Sequence, residues 1–196
     1  MVMTMRTGLQ PNDHAHICRY SPLKGWLLNN RIRGLFQNPK DILGPCVKNG
    51  MTAIDIGCGP GMFTLAMASM VGEDGRVIAV DIQQEMLDLV RRKSDQQHLT
   101  PRIRFHKSEP ARLNVTEKAD FILSFYMVHE VPDQNAFLAE VHDLLEPAGT
   151  YLVVEPGWHV SEAAFDDTVQ QALRAGFELT SHPHISLSRA ALFTVA

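Results

Sequence analysis

Cysteine is scarce in this chain. Its 196 residues include three, Cys18, Cys46 and Cys58. The number is odd and no CxxC pair occurs, so a disulfide framework is not expected, and a reducing, cytoplasmic setting is. Long apolar runs are missing too. No stretch of 18 or more apolar residues exists, which argues against a membrane-spanning helix and against any membrane partner. Met1 to Arg6 lack the apolar stretch of a signal peptide. Basic blocks are absent and the formal net charge is -4, so nothing offers an electrostatic footprint to a nucleic-acid backbone. Repeats and low-complexity tracts are also absent. What remains, 45% hydrophobic and 20% charged residues, is globular and not fibrous or disordered. A chain of this length fits one domain with a small appendage. It buries about 70% of its unfolded surface and needs no metal or disulfide to fold.

One soft boundary divides the chain. Residues 1–50 carry no strand pattern and contain Pro11, Pro22, Pro39 and Pro45. They read as a helical lid or extension, and 51–196 as the main domain. Ser21-Pro22 reads as a helix start. Leu23, Trp26, Leu27, Ile32, Leu35 and Phe36 follow at helical spacing, interrupted by Gly25 and Gly34. A further short helix starts at Asn38-Pro39 with Ile42 and Leu43 inward.

From Met51 onward strand-like and helix-like stretches alternate, which argues for parallel strands joined by crossover helices. Strands are expected at 52–56, 76–80, 102–106, 120–125, 151–155, 177–180 and 191–195. Between them a helix runs from Met62 to about Val71, and another buries Met86, Leu87 and Val90. A third starts at Asp133, presents Phe137, Leu138, Val141, Leu144 and Leu145 on one face, and ends at Pro147-Ala148-Gly149. The last starts at Ser161, with Phe165, Val169, Ala172 and Leu173 inward, and closes at Gly176. The final two strands are able to pair antiparallel across His182-Pro183-His184.

The chemistry is concentrated in Asp55-Ile56-Gly57-Cys58-Gly59-Pro60-Gly61, with Asp81 twenty residues past the last glycine. A glycine-rich turn between strand and helix lets backbone approach a ligand closely. The helix start offers free N–H groups and positive partial charge. An acid ending the next strand accepts hydrogen bonds from a ribose diol. A dinucleotide and S-adenosylmethionine both fit that outline, and spacing separates them. The dinucleotide pattern GxGxxG needs a third glycine at residue 62, which is Met62, or, counted from Gly59, at Thr64.

The string D-x-G-x-G-x-G resembles that of the class I S-adenosylmethionine-dependent methyltransferases. It is most similar to the small-molecule branch typified by ubiquinone and menaquinone biosynthesis. The resemblance covers about Met51 to Gly157. It implies an α/β fold: a Rossmann-like, doubly wound sheet of seven strands, mostly parallel with an antiparallel last strand, and helices on both faces. It implies that Asp55 helps hold the methionine end of the cofactor, that Gly57, Gly59 and Gly61 form the turn beneath it, and that Cys58 contacts it through backbone. Asp81 matches the ribose-binding acid and Ile82 the residue that packs on adenine. Ser108 and Glu109 stand where the family places a polar residue near the adenine amine, although His106-Lys107-Ser108-Glu109-Pro110 departs from its usual Gly-Asp-Ala type. Ser124, Phe125 and Tyr126 occupy the position beside the methyl-transfer site.

A methyl sulfonium is a good electrophile, so alignment supplies much of the catalysis, and an oxygen or nitrogen acceptor adds the need for a base. His129 and His159 are expected to face the crevice at the strand ends, and a histidine suits proton transfer near neutral pH. With Tyr126 they form the candidate catalytic set. A backbone-bonded loop histidine is the bland alternative for His129. Glu130 and Glu155 are alternative bases, while Tyr126 and Trp158 shape the pocket wall. His14, His16 and Cys18 alternate along Asp13 to Tyr20 and would share one face of an extended segment. That pattern suits a soft metal, a thiol or a metalloid, but a polar lid over the acceptor, with Cys18 packed under a helix, is the plainer reading, and no metal is assigned. The expected activity is methyl transfer from S-adenosylmethionine to a small molecule. Thiol or metalloid methylation and a non-catalytic cofactor-binding module are the alternatives. The first 50 residues serve as a homodimer face as readily as a lid.

Overall fold

The computed structural model describes residues 37–195. The helices expected from Ser21 to Phe36 and the segment with His14, His16 and Cys18 lie outside the described residues.

Helix α1 (Pro39–Leu43) starts where Asn38 accepts a hydrogen bond from the Lys40 N–H and proline takes the first turn. Strand β1 (Thr52–Ile56) leads into α2 (Met62–Met70), β2 (Arg76–Asp81) into α3 (Gln84–Gln96), and β3 (Ile103–Lys107) is followed by β4 (Ala119–Phe125). A short 3-10 turn (Val128–Glu130) precedes α4 (Gln134–Asp143). Then come β5 (Leu145–Pro156), α5 (Glu162–Arg174), β6 (Glu178–Ser181) and β7 (Ser188–Thr194). The seven strands form one sheet in the order β3-β2-β1-β4-β5-β7-β6. β3 through β5 pair in parallel, and β7 runs antiparallel between β5 and β6.

The central strands are buried on both faces, as parallel sheets require. Ile54, Ile56, Ile78, Ile122 and Val153 pack with Phe137, Leu138 and Val141 of α4 and Phe165, Val169 and Ala172 of α5. Ala53, Val77, Ala79, Leu123 and Val154 face the other way, against Leu43, Phe63, Met67, Leu87 and Val90. Leu43 and Val47 are therefore members of the strand core, although both precede residue 50. Cys46 packs at its edge, half-buried.

Two expectations need correction. Helix α4 stops at Asp143 and not at Pro147-Ala148-Gly149. Leu145 already pairs with Ala119, and the register shifts before Thr150 pairs with Phe121, with Ala148 at a φ of 62° in between. Strand pairing thus takes residues that helical spacing claimed for the helix. Leu173, expected inward, is exposed; Thr168 occupies the buried face of α5 in its place.

Strand order reverses between β1 and β4, each of which has its partner on the opposite side. Ligands of open α/β sheets bind outside the carboxyl ends of the strands at such a switch point.

Candidate active site

The carboxyl end of β1 opens directly into the glycine turn. Gly57, Gly59 and Gly61 have φ values of 71°, 50° and 84°, the left-handed region where a side chain is strained. Neighbours enforce the choice at two of them. A Cβ at Gly57 would lie 2.9 Å from Met127 Cγ, and one at Gly61 2.8 Å from Val90 Cγ2. Gly59 differs: among the described residues a Cβ there would meet only the Gly57 carbonyl, at 4.0 Å. The space above Gly59 is open to a ligand. Among the described residues no side chain caps the start of α2 behind it.

Asp81 holds this turn from the end of β2. One carboxylate oxygen accepts the Gly59 N–H and the other the Gln83 N–H, each at 2.9 Å. Burial raises its proton affinity, and these backbone hydrogen bonds oppose the rise. The Ile82 N–H also bears on this carboxylate, and the Cys58 thiol lies 4.0 Å from the oxygen that takes Gly59. Lys93 Nζ of α3 ties down the Pro60 carbonyl at 2.8 Å. Asp55 points to the opposite side of β1 from Ile54 and Ile56, fully buried, and accepts a hydrogen bond from Thr64 at 2.5 Å. Burial pushes its carboxyl up to about 7, Thr64 pulls it down, and Asp81 adds to the rise. The Cys58 side chain is buried under the turn, its thiol held in the protonated form by burial and by the two acids.

The remaining expected cofactor residues divide by exposure. Ile82 is half-buried beside Asp81, and Ser108 is buried, its N–H donating to the Asp81 carbonyl. Glu109 is exposed in a small bridge with Arg112. Ser124 lies wholly inside the sheet, where its hydroxyl accepts a hydrogen bond from Tyr151, so its side chain does not reach the crevice. Phe125 joins a row of rings, Phe63–Phe125–Tyr126–Trp158, with successive centroids 4.2, 4.5 and 5.4 Å apart. Tyr126 sits at a φ of 63°, the left-handed region that a bulky side chain rarely adopts. Its hydroxyl lies 2.6 Å from both Gln37 Nε2 and Ser188 Oγ, so it is bound on two sides. Trp158, 68% exposed, ends the row.

His129, on the turn after β4, sends Nδ1 to Glu155 at 2.5 Å, while the other Glu155 oxygen accepts the His129 N–H at 3.1 Å. The hydrogen bond to Glu155 raises the ring's proton affinity above its ordinary value; burial opposes this, and the charges of Glu155 and Glu130 add to it. The His159 ring meets it edge-on at 5.0 Å. Sequence spacing brought His129 and His159 to the crevice but gave no sign of the Glu155 contact, which joins two different strand ends. Thr64 was also missed, since its tie to Asp55 spans strand, turn and helix. Among the described residues no cluster of histidine, cysteine and acids is arranged to hold a metal.

A family profile described as a methyltransferase domain matches residues 47–185. The chain belongs to that family. Residues 47–185 form a class I S-adenosylmethionine-dependent methyltransferase domain, and S-adenosylmethionine is its cofactor. A solved S-adenosylmethionine-dependent methyltransferase from Aquifex aeolicus shares the fold, with a TM-score of 0.81 at 22% identity over 91% of this chain and 100% of that one. The cyclase SpnF shares it at a TM-score of 0.67 and 13% identity, over 80% of this chain and 79% of that one, so the methyltransferase fold by itself does not dictate the reaction. A demethylmenaquinone methyltransferase from Lactobacillus johnsonii is 34% identical over 110 residues, 56% of this chain. The match spans 45% of that relative's length. Among the described residues, the open Gly59 backbone, the Asp81 carboxylate beside it and the start of α2 without a side-chain cap fit this methyltransferase's cofactor.

Proposed function

We propose that this methyltransferase acts on an acceptor of low molecular weight. The observation that carries the reading is the row Phe63–Phe125–Tyr126–Trp158 beside the glycine turn. Phe63 and Phe125 are buried and back the row from inside; the faces of Tyr126 and the exposed Trp158 suit a flat, largely apolar molecule and offer nothing to a phosphate backbone. The name of the Lactobacillus johnsonii relative, a demethylmenaquinone methyltransferase, supports the same class.

Bound S-adenosylmethionine supplies a methyl group made electrophilic by its sulfonium. The protein's part is to hold and aim. Gly57, Gly59 and Gly61 shape the floor, and Cys58 contributes backbone. Asp81 takes the ribose hydroxyls with Ile82 against the adenine, while Ser108 borders that end. Asp55 and the start of α2 receive the charged methionine end. Tyr126 and Trp158 wall the acceptor, and His129 and His159 stand ready for proton transfer. Alignment in a dry site supplies much of the rate, since it removes the entropy cost of the encounter.

Calorimetric titration with S-adenosylmethionine, S-adenosylhomocysteine and NADH tests the cofactor half, with binding of the two sulfur ligands alone expected. Labelled methyl transfer into fractionated extract tests the acceptor half. Label in the low-molecular-weight fraction supports the reading. Label confined to RNA or protein overturns it, and binding without transfer to any fraction favours a non-catalytic module.

A further inference from the structure

Glu155 ends β5 with a side chain only 1% exposed, and among the described residues its ion-pair partner is His129 alone. A carboxylate this deep is costly unless it is paired. Both oxygens address one residue, one at the main-chain N–H and one at Nδ1. The contact therefore sets both the place of the turn and the orientation of the ring. A carboxylate at Nδ1 keeps a proton there in either charge state, so the neutral ring carries its lone pair on Nε2.

Nε2 has no hydrogen-bond partner among the described residues; the Glu130 carboxylate lies 3.9 Å away, beyond hydrogen-bond reach. Glu130 also bears electrostatically on Asp81, so this face of the imidazole belongs to the cofactor side of the crevice. His129 is half-buried, open enough to meet a ligand. The charged and titratable groups around it are Glu155 of β5, Glu130 of its own turn and His159 beyond β5.

We propose that Glu155 is a positioning residue that presents His129 Nε2 as a proton acceptor, and that the methyl acceptor bears a weakly acidic hydroxyl, a phenol or an enol. This rests on the methyl-transfer reading above. The acceptor's O–H bond breaks, its proton binds Nε2, and the electron pair stays on oxygen as the nucleophile for the methyl group. The imidazolium then returns the proton to water, and Glu155 remains a carboxylate throughout. A thiol, with an ordinary pKa of about 8.5, ionises usefully unaided, whereas a phenol near 10 needs a base. The raised proton affinity of His129 agrees with a base of this kind.

Ring nitrogen NMR on the full chain without cofactor, over a pH titration, reads the geometry directly. The neutral His129 is expected as the Nδ1–H tautomer, and Glu155→Gln is expected to lower its titration midpoint. A neutral Nε2–H tautomer in the parent protein, which needs no variant, overturns the proposal. So does a midpoint unmoved in a folded Glu155→Gln. Transfer assays with 1-naphthol, 2-naphthol and catechol against thiophenol read the chemistry. Glu155→Gln is expected to cut kcat about 10²-fold with KM within about twofold, and to move the pH profile with the NMR midpoint. Methylation of thiophenol alone, or of none of the hydroxyl probes, overturns the acceptor assignment. Affinity for S-adenosylhomocysteine should stay within about twofold in the variant. If the parent protein itself fails to bind it, the methyl-transfer reading falls, while the tautomer result stands separately.

Discussion

Asp81 serves two structures at once. It receives the N–H groups of Gly59 and Gln83, and so shapes the turn whose backbone a ligand approaches. In the proposed reading the same carboxylate meets the ribose diol. Asp81→Ala is expected to weaken S-adenosylmethionine binding by about 1–3 kcal/mol, the cost of unpairing charged hydrogen bonds. Calorimetry on the folded variant checks it; unchanged affinity takes Asp81 out of the site. Asp55 acts on stability. Burial lifts its carboxyl from 3.8 to about 7, so the folded state binds this proton more tightly than the unfolded chain does. That contribution is complete below about pH 4 and is lost as pH rises towards 7, at roughly 1.4 kcal/mol per unit. Asp55→Asn should flatten this part of the stability profile in urea unfolding at several pH values. A slope equal to the parent's would place the titration on another group.

Helix starts are local events, and α1, α4 and α5 begin where Asn38, Asp133 and Ser161 accept backbone N–H groups. Each of these caps is visible in the sequence because a short polar side chain before an amphipathic run has few other uses. Removing one should cost only its own hydrogen bond. Asp133→Ala, which frees the Ala136 N–H, is expected to destabilise by about 1 kcal/mol, read from the urea midpoint at unchanged slope. Helix ends are not local in the same way. The end of α4 depends on Leu145 pairing with Ala119, a contact with another strand. Leu144 and Leu145 are buried as their pattern suggests, but by the sheet and not by a helix face.

The described residues before the first strand, 37–51, pack against the sheet. Leu43 is fully buried against the face that carries Leu123 and Val154, and Gln37 bonds the Tyr126 hydroxyl and Ser188 Oγ. Residues 37–50 thus pack with the sheet, although strand patterning begins only after residue 50. Leu43→Ala is expected to cost about 2–5 kcal/mol in denaturant unfolding, as for any core leucine. A loss below about 0.5 kcal/mol, typical of a surface site, would show that this segment adds nothing to the core. Among the described residues no helix is long and apolar enough to cross a membrane.

Periodicity, caps and glycine spacing lie in contiguous residues, and they sufficed to place seven strands, the turn from Gly57 to Gly61, and Asp81 at the end of β2. These features answer to backbone geometry over a few residues, so neighbours in the chain reveal them. Tertiary structure alone decided which carboxylate holds His129, which hydroxyl answers Asp55, and that Ser124 turns inward to Tyr151. It also decided that β7 lies between β5 and β6. Those outcomes depend on strand order and on which face a side chain takes at a strand end. Burial then selects the partner, because a charge inside the sheet must find one there.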